Sequence, residues 1–152
     1  MNAHEAYDVV VGLEVHIQLS TESKLFAADS TAFGKEPNSN VSVITLAHPG
    51  TLPKLNKKAV EYAIRMGLAC NSEITRYCIF DRKNYFYPDL PKGFQTTQDR
   101  TPICIGGTVP IELKDGRETV VQLNRIHLEE DAGKSIHDDA SEDSLIDLNR
   151  AG

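Results

Sequence analysis

Hydrophobic and polar positions alternate in many short segments of the chain, and this period of two is typical of half-buried β-strands. The pattern is clearest in residues 8–19, where every odd-numbered position is apolar and the even-numbered positions include Gly12, Glu14 and His16. Because successive side chains of a strand point to opposite faces, we expect Glu14 and His16 to lie side by side. A solvated polar face would explain the pair, but Gly12 beside it would let another group approach closely, as in a binding site.

One segment has helical spacing instead. Residues 57–70 place apolar side chains along one face of a helix, and Asn56 immediately before them is a good N-cap. Gly67 lies within this segment and predicts close packing of the helix on a sheet. We therefore predict one clear helix over residues 57–70.

Short strands are predicted for much of the remaining chain. Asp115-Gly116 is a typical hairpin turn, so the runs on either side of it should form an antiparallel pair. Residues 135–143 are acidic and predict a loop. Many strands and one helix predict an α+β domain, with a mainly antiparallel sheet on which the helix packs. The strands are predicted at residues 41–47, 73–80, 95–98, 102–105, 108–113, 118–130 and 144–149.

The composition is that of an ordinary globular domain. The chain has 152 residues, of which 40% are hydrophobic and 25% are charged. Its formal net charge of −6 argues against a uniformly basic surface for nucleic acid, although a local basic patch is compatible with it. The chain stops in a predicted strand without a polar tail, which predicts a fragment of a longer protein.

The cysteines and the apolar runs indicate the cellular compartment. Cys70, Cys78 and Cys104 are odd in number and lack Cys-x-x-Cys spacing, so neither a disulfide framework nor a zinc knuckle is expected. The N-terminal residues have no signal-peptide pattern, and no apolar run has the length of a membrane span. We expect a protein of the reducing cytoplasm that does not contact a membrane.

Three consecutive acids, Glu129, Glu130 and Asp131, extend the end of an apolar predicted strand. The alternation places Glu130 on the same face as Ile126 and Leu128, and Glu129 and Asp131 on the other face. If the first face is core, Glu130 lies at its edge and needs a partner, because an unpaired buried carboxylate is costly. A β-bulge would reverse the parity, so the sequence leaves open which acid points into a site.

A divalent cation is one explanation of this acidic run. Mg²⁺ binds carboxylate oxygens and keeps several waters, so one or two carboxylates and a histidine from two strands form a plausible open site. Glu14 and His16 are the residues that we expect to join the acidic run around such a cation. An open Mg²⁺ site with basic side chains nearby suits nucleotide phosphates. The acids between residues 138 and 143 are better explained as a solvated loop.

Aromatic residues are concentrated in residues 77–94, which hold six of the ten in the chain. Arg82, Lys83 and Lys92 are interleaved with them, and cations beside aromatic rings suit a phosphate or a nucleic-acid base. An aromatic mini-core beneath a proline-stiffened loop is an equally good explanation. The composition of the segment does not separate the two.

Several long motifs, taken together and in this order, resemble a known family. The chain is similar, from about Tyr7 to its last residue, to the B subunit of bacterial aspartyl/glutamyl-tRNA amidotransferases. The motifs are Gly-Leu-Glu-Val-His-Ile-Gln-Leu at 12–19, Asp-Arg-Lys-Asn-Tyr-Phe-Tyr-Pro-Asp-Leu-Pro-Lys-Gly at 81–93, His-Leu-Glu-Glu-Asp-Ala-Gly-Lys at 127–134 and Asp-Leu-Asn-Arg-Ala-Gly at 147–152.

The resemblance implies an activity and partners. Family members form a heterotrimer with subunits A and C and act on misacylated Glu-tRNA(Gln) or Asp-tRNA(Asn). The B subunit uses ATP to phosphorylate the side-chain carboxylate of the attached amino acid, and ammonia from glutamine then displaces the phosphate. The resemblance also implies that residues 1–152 are part of one cradle-like catalytic domain, followed in full-length members by helical and tail domains. We expect this piece to be inactive alone.

The resemblance also implies roles for particular residues. Glu14, His16 and Glu130 match Mg²⁺-site positions, and Lys83, Lys92 and Glu130 match positions of the activation site and the ammonia channel. For ATP, the matching positions are Arg82, Lys83 and Tyr85. Some members carry a zinc-binding Cys-x-x-Cys pair where this chain has Ala27-Ala28-Asp29, so no zinc is expected.

Two other functions are compatible with the same residues. A non-catalytic β-rich module would bind RNA or a partner protein through the aromatic and basic residues 77–94. A self-contained Mg²⁺ phosphohydrolase is the weaker alternative, because its site would be one ligand short.

Overall fold

The computed structural model describes residues 7–137 and 143–152. Within these ranges the helix α1 (Lys57–Ala69) forms where the sequence predicts it. The side chain of Asn56 accepts a 2.9 Å hydrogen bond from the N–H of Lys58 and so caps the first turn. Asn71, with a φ of 55°, follows the end of the helix, because an asparagine tolerates the left-handed conformation that terminates helices.

Nine strands occur in the described ranges, and their pairing is antiparallel throughout. A three-stranded sheet has the order β1-β4-β7, and the other strands form the hairpins β2–β3, β5–β6 and β8–β9. The prediction of an α+β domain made mainly of antiparallel sheet is confirmed. The strands are β1 (Glu73–Ile74), β2 (Asp81–Asn84), β3 (Phe94–Thr97), β4 (Cys104–Ile105), β5 (Thr108–Glu112), β6 (Glu118–Gln122), β7 (Arg125–Ile126), β8 (Lys134–His137) and β9 (Ser144–Asp147).

The core lies between α1 and the three-stranded sheet. The helix turns its small residues Ala59, Ala63 and Gly67 inward. A Cβ at Gly67 would lie 2.8 Å from Ile74 Cδ1 and would overlap Cys104 Sγ, so only glycine fits at this crossing. This is the close packing that Gly67 predicts. The buried cluster comprises Leu25, Phe26, Ala59, Ala63, Ile103, Cys104 and Leu128.

The N-terminal prediction is wrong in this structure. Residues 8–19 form no strand, and the described residues contain no strand that pairs with them. A strand needs a neighbour to satisfy its N–H and C=O groups and to cover its apolar face. Without that neighbour the apolar side chains remain exposed, namely Val9, Val11, Leu13, Val15 and Ile17.

Other predicted boundaries are also corrected. Residues 41–47 form turns rather than a strand, because the Asp29 carboxylate accepts hydrogen bonds from Ser42 N (3.0 Å) and Thr45 Oγ1. The long strand predicted at 118–130 is divided into β6 and β7 and then continues as irregular chain. The break lies opposite Gly106 and Gly107, whose φ values are 63° and 109°, although Leu123 N still donates to Gly107 O (2.9 Å).

Two strands form where the sequence did not predict them. β2 pairs with β3 inside the aromatic stretch, and β8 pairs with β9 at the start of the predicted acidic loop. Residues 138–142 of that loop lie outside the described residues. The predicted hairpin turn is confirmed, with a φ of 80° at Gly116 between β5 and β6. No described helix has the length and hydropathy required to cross a membrane.

Candidate functional site

Glu130 is the most deeply buried acid in the described part of the chain, with 3% of its surface exposed. Its backbone continues the β2–β3 hairpin, because Glu130 N donates to Thr96 O (3.0 Å). Its carboxylate accepts a 3.0 Å hydrogen bond from Thr96 N and forms a salt bridge with Lys92. Glu130 therefore faces inward together with Leu128, which is one of the alternatives that the sequence left open, and Lys92 is the partner that its burial requires.

The loop between β2 and β3 directs Lys92 towards Glu130. Gly93 has a φ of 70°, and its N–H donates to Leu90 O (3.0 Å) to close a tight turn. The carbonyl of Gly93 accepts a hydrogen bond from Tyr85 N (3.2 Å), which joins the loop to the end of β2. Leu90 is buried and anchors the turn. The loop consequently holds the backbone of Lys92 over the carboxylate.

The two neighbouring acids lie in different surroundings. Glu129 accepts a 2.7 Å hydrogen bond from Thr97 Oγ1, and its carboxylate lies 3.7 Å from His127 Nε2. Asp131 accepts a 2.9 Å hydrogen bond from Gln18 Nε2. The three consecutive acids thus face three separate sets of partners, and Glu130 alone among them is buried.

The three predicted Mg²⁺ ligands are not assembled. Glu14 and His16 are exposed, and no group of three His, Cys, Asp or Glu side chains in the described ranges is arranged to hold a metal. Both oxygens of Glu130 already contact Lys92 and Thr96. In these positions the residues do not fit a Mg²⁺ ion. The ligand set remains a prediction. In the N-terminal segment, Gln18 contacts the acidic run through its hydrogen bond to Asp131.

The predicted ATP-binding residues form an exposed edge of β2. Arg82 and Lys83 point to solvent, with the Arg82 guanidinium 4.8 Å from the ring centroid of Phe94 and Lys83 Nζ 5.9 Å from that of Tyr85. The Tyr85 hydroxyl donates a 3.3 Å hydrogen bond to Gln95 Oε1. Burial, and then the charge of Asp89, raises the pKa of Tyr85, so the phenol stays neutral. Arg82 and Lys83 are consecutive residues of β2 and lie on opposite faces of the hairpin, and each cation beside its ring can bind an anion such as a phosphate.

The aromatic stretch divides into a buried and an exposed part. Phe80 packs edge-on against Phe26 with a centroid distance of 5.0 Å and belongs to the core. Tyr77, Phe86 and Tyr87 are exposed. The mini-core interpretation is confirmed for Phe80, and binding of a phosphate or a base by the exposed rings stays a prediction.

The structure adds Lys24, which the sequence reasoning missed. Lys24 is 3% exposed, its Nζ lies 4.0 Å from Asp29 Oδ2, and it donates a 3.4 Å hydrogen bond to Leu148 O. Burial lowers its pKa, although Asp29, Asp147 and Glu130 act in the opposite direction. The available signal was a lysine directly before the apolar run 25–28.

Lys24 lies behind a narrow cleft that includes the Glu130–Lys92 pair. The link is Gly152, because a Cβ at that position would lie 3.2 Å from Lys24 Cδ. Gly152 N donates to Asp131 O (2.9 Å), so the last residue is attached to the acidic run. The cleft is lined by Thr45, Leu90, Pro91, Lys92, Glu130, Asp131, Ala151 and Gly152.

Comparison with known proteins defines the class. Residues 9–152 match the family model described as the GatB/GatE catalytic domain, and the chain belongs to this family. The motif-based resemblance is thereby confirmed. All the motifs that carry it lie within the matched residues.

Particular relatives are similar over nearly the whole chain. The identity is 56% over 146 residues to the B subunit of the aspartyl/glutamyl-tRNA(Asn/Gln) amidotransferase of Saccharophagus degradans. It is 55% over 149 residues to the protein of the same name from Dechloromonas aromatica. Each match covers 96% of this chain but only 30% and 31% of the two relatives. The chain thus spans under a third of the length of these relatives.

Proposed function

We propose that residues 1–152 form part of the catalytic domain of the B subunit of a tRNA-dependent amidotransferase. The proposal rests on membership of the GatB/GatE catalytic domain family. The structural observation that supports it is the buried Glu130–Lys92 pair, whose lysine lies near the same ring, Phe94, as the exposed Arg82 of β2. A buried ion pair in a cleft, close to an anion-binding edge, suits a site where a carboxylate is activated and then amidated.

The proposed reaction has two steps. A carboxylate reacts poorly with ammonia because its leaving group would be an oxide ion. ATP supplies a phosphoryl group to the side-chain carboxylate of the amino acid on Glu-tRNA(Gln) or Asp-tRNA(Asn), and ADP leaves. Ammonia then attacks the acyl phosphate, the carbon–nitrogen bond forms, and phosphate leaves with the electron pair of the broken carbon–oxygen bond. Glutamine is the proposed source of the ammonia.

The residues of this chain have distinct roles in the proposal. Arg82 and Lys83 bind the phosphates of ATP and offset their charge, and Tyr85 borders the same site. Glu130 accepts hydrogen bonds from incoming ammonia within the cleft, and it can take the proton that the attacking nitrogen releases. Lys92 forms the salt bridge with Glu130 and is the proposed cation closest to the point where negative charge develops.

Mg²⁺ is also part of the proposal, as a requirement of the complete assembly. Glu14, His16 and Glu130 are the proposed ligands, which would require the N-terminal segment to move towards Glu130. The hydrogen bond of Gln18 to Asp131 supports that direction, because it joins the end of this segment to the residue next to Glu130. Since these residues do not fit the ion in their present positions, we assign no step of the reaction to it.

The assembly and its location complete the proposal. We propose subunits A and C and a misacylated tRNA as partners, and a cytoplasmic location, in keeping with the three free cysteines Cys70, Cys78 and Cys104. The chain spans only 30% of its relatives' length, so the 152-residue piece by itself is proposed to be inactive. No zinc ion is proposed.

The test uses the complete B subunit assembled with the other two subunits. Glu130→Gln should lower amide formation on the tRNA by roughly a hundredfold or more, while glutamine hydrolysis continues. Glu118→Gln on β6 is the matched control, since Glu118 is exposed and is not one of the residues that line the cleft. Amide formation by Glu130→Gln at the wild-type rate would refute the assignment of Glu130. Alanine at Glu14 or His16 tests the proposed metal ligands in the same assay.

A second candidate is a non-catalytic module that binds RNA or a partner protein. The exposure of Tyr77, Phe86 and Tyr87 favours it, because exposed rings can stack on bases. It predicts that tRNA binding survives loss of Glu130 and needs no Mg²⁺, but is lost when the three rings become alanine. Titration with ATP and Mg²⁺, followed by backbone amide shifts around β2, separates the two candidates.

A further inference from the structure

We propose that the ring of Phe94 positions the Lys92 ammonium over Glu130 by a cation–π interaction, and that it holds the Arg82 guanidinium in the same way. Phe94 is thus a positioning residue for the cleft rather than a catalytic one. The consequence for the reaction rate rests on the function proposed above. The positioning itself does not, and it is measured separately.

The ring lies between the two functional features of the site. Lys92 Nζ is 5.3 Å from the centroid of Phe94, and the Arg82 guanidinium carbon is 4.8 Å from it. Cations within about 6 Å of an aromatic centroid are attracted by the negative face of the ring. Phe94 therefore contacts a cation of the cleft and a cation of the exposed β2 edge at once.

The backbone of the β2–β3 hairpin fixes the position of Phe94 beside Lys92. Phe94 is the first residue of β3 and pairs with Asn84, the last residue of β2. Gly93 separates Phe94 from Lys92, and its φ of 70° turns the chain tightly there. A Cβ at Gly93 would lie 3.2 Å from a ring atom of Phe86, so a larger residue would disturb the turn. The turn brings the side chains of residues 92 and 94 together.

Lys92 needs a second contact because one salt bridge does not fix a flexible side chain. A lysine side chain has many rotamers, so holding it in one of them costs conformational entropy. The Lys92 side chain keeps 18% of its surface exposed, whereas that of Glu130 keeps 3%. The carboxylate is thus fixed by its surroundings, and the ammonium is free to swing towards solvent unless the ring holds it. Phe94 supplies that restraint, with its centroid 5.3 Å from Lys92 Nζ.

Arg82 depends on the ring even more. No salt bridge of Arg82 is found among residues 7–137 and 143–152, and its side chain is exposed. The ring of Phe94 is the contact that orients its guanidinium. A substitution of Phe94 should consequently affect both cations together, which a change at either cation alone would not do.

A simpler explanation is that Phe94 only fills space, and fluorination separates the two. Replacing ring hydrogens by fluorine weakens the negative face of the ring and changes its shape little. The complete B subunit is prepared with mono-, di-, tri- and pentafluorophenylalanine at position 94. The same series at Phe33, which is fully exposed, is the matched control.

Two readouts are taken from the same samples. The rate at which an amine-acylating reagent modifies Lys92, measured by peptide mass spectrometry, reports how firmly the ammonium is held. We expect this rate to rise stepwise with fluorination, by about two- to thirtyfold over the series. Amide formation in the assembled enzyme should fall in parallel, mainly through kcat, and Phe94→Trp should retain the wild-type values of both.

The outcomes are separable. Lys92 modification that does not change along the fluorine series, with a change only in Phe94→Leu, would overturn the proposal, because shape alone would then matter. Stepwise modification with an unchanged kcat would support the positioning role of Phe94 and would count against the catalytic role proposed for Lys92. A response at Phe33 equal to that at Phe94 would also overturn it.

Discussion

Gln18 Nε2 donates a 2.9 Å hydrogen bond to Asp131 Oδ2, although 113 residues separate the two in the sequence. The bond joins the end of the exposed N-terminal segment to the acidic run that carries Glu130. It is the point at which the two motifs with candidate metal ligands meet in the described structure. Its removal gives the first prediction.

Gln18→Leu should release the N-terminal segment from Asp131. The bond lies at the surface, so we expect a cost of about 0.5–1.5 kcal/mol, confined to local opening. Hydrogen exchange of the amides of residues 15–21 should accelerate several-fold, and exchange in α1 should not change. Gln122→Leu on the exposed strand β6 is the control. Unchanged exchange in Gln18→Leu would mean that the segment is held by other contacts.

Lys92→Met should destabilise the fold strongly. It leaves the Glu130 carboxylate buried and unpaired, and the loss of one partner of a buried ion pair typically costs about 3–5 kcal/mol. Because Lys92 keeps some exposure, the lower end of that range is expected. The double variant Lys92→Met/Glu130→Gln should recover most of the loss, because no buried charge remains. Urea unfolding measures each free energy.

A surface pair provides the control for that measurement. Lys58 forms a salt bridge with Glu61 on α1, and both side chains are well exposed. Lys58→Met should change the free energy of unfolding by less than about 1 kcal/mol. Equal losses for Lys58→Met and Lys92→Met would contradict the buried character of the Glu130–Lys92 pair.

Lys24 should make stability depend on pH in the alkaline range. Burial lowers its folded-state pKa below the ordinary value of 10.5, so between the two values the unfolded chain binds more protons. The free energy of unfolding should therefore rise with pH in that window, by at most about 1.4 kcal/mol per pH unit from this group. Lys24→Met should lack this rise. Parallel stability–pH curves for the wild type and Lys24→Met would refute the prediction.

Gly67→Ala should destabilise the protein despite the better helix propensity of alanine. The new Cβ would lie 2.8 Å from Ile74 Cδ1 and would overlap Cys104 Sγ, both in packed positions. Overpacking of this kind costs about 1–3 kcal/mol, against a gain of up to about 1 kcal/mol from propensity. Gly12→Ala, which meets nothing within 4 Å, is the matched control. Thermal unfolding that gives equal midpoints for the two variants would contradict the tight crossing of α1 and β4.

The features that the sequence predicts well are those encoded by neighbouring residues. Asn56 and the apolar face of 57–70 define α1 locally, and Asp115-Gly116 defines the β5–β6 turn in the same way. For the acidic run, alternation with Leu128 offered Glu130 as the inward residue if no β-bulge intervened, and the structure selects that alternative. None of these needs information about the rest of the chain.

The features that the sequence predicts poorly depend on residues that are distant along the chain. Residues 41–47 have strand-like composition, but the carboxylate of Asp29 organises them as turns. Residues 8–19 have the best alternation in the chain and yet form no strand. Alternation gives a segment one apolar face, but a strand also needs a neighbouring strand that pairs with its backbone. The partner of Glu130 is equally hidden, since Lys92 lies 38 positions away.

The hydrogen bonds that join residues 24–40 to residues 147–149 have a kinetic consequence. Lys24 reaches Leu148 over 124 positions, and the amides of Asn38 and Asn40 donate to the side chains of Asp147 and Asn149 over 109. Closing loops of this length costs entropy before the contacts form, and chains rich in such contacts fold slowly. The turns of residues 24–45 therefore cannot reach their final hydrogen bonding until the ribosome has released residues 147–149. The cleft around Glu130, which Thr45 and Gly152 help to line, consequently forms only after these long-range contacts.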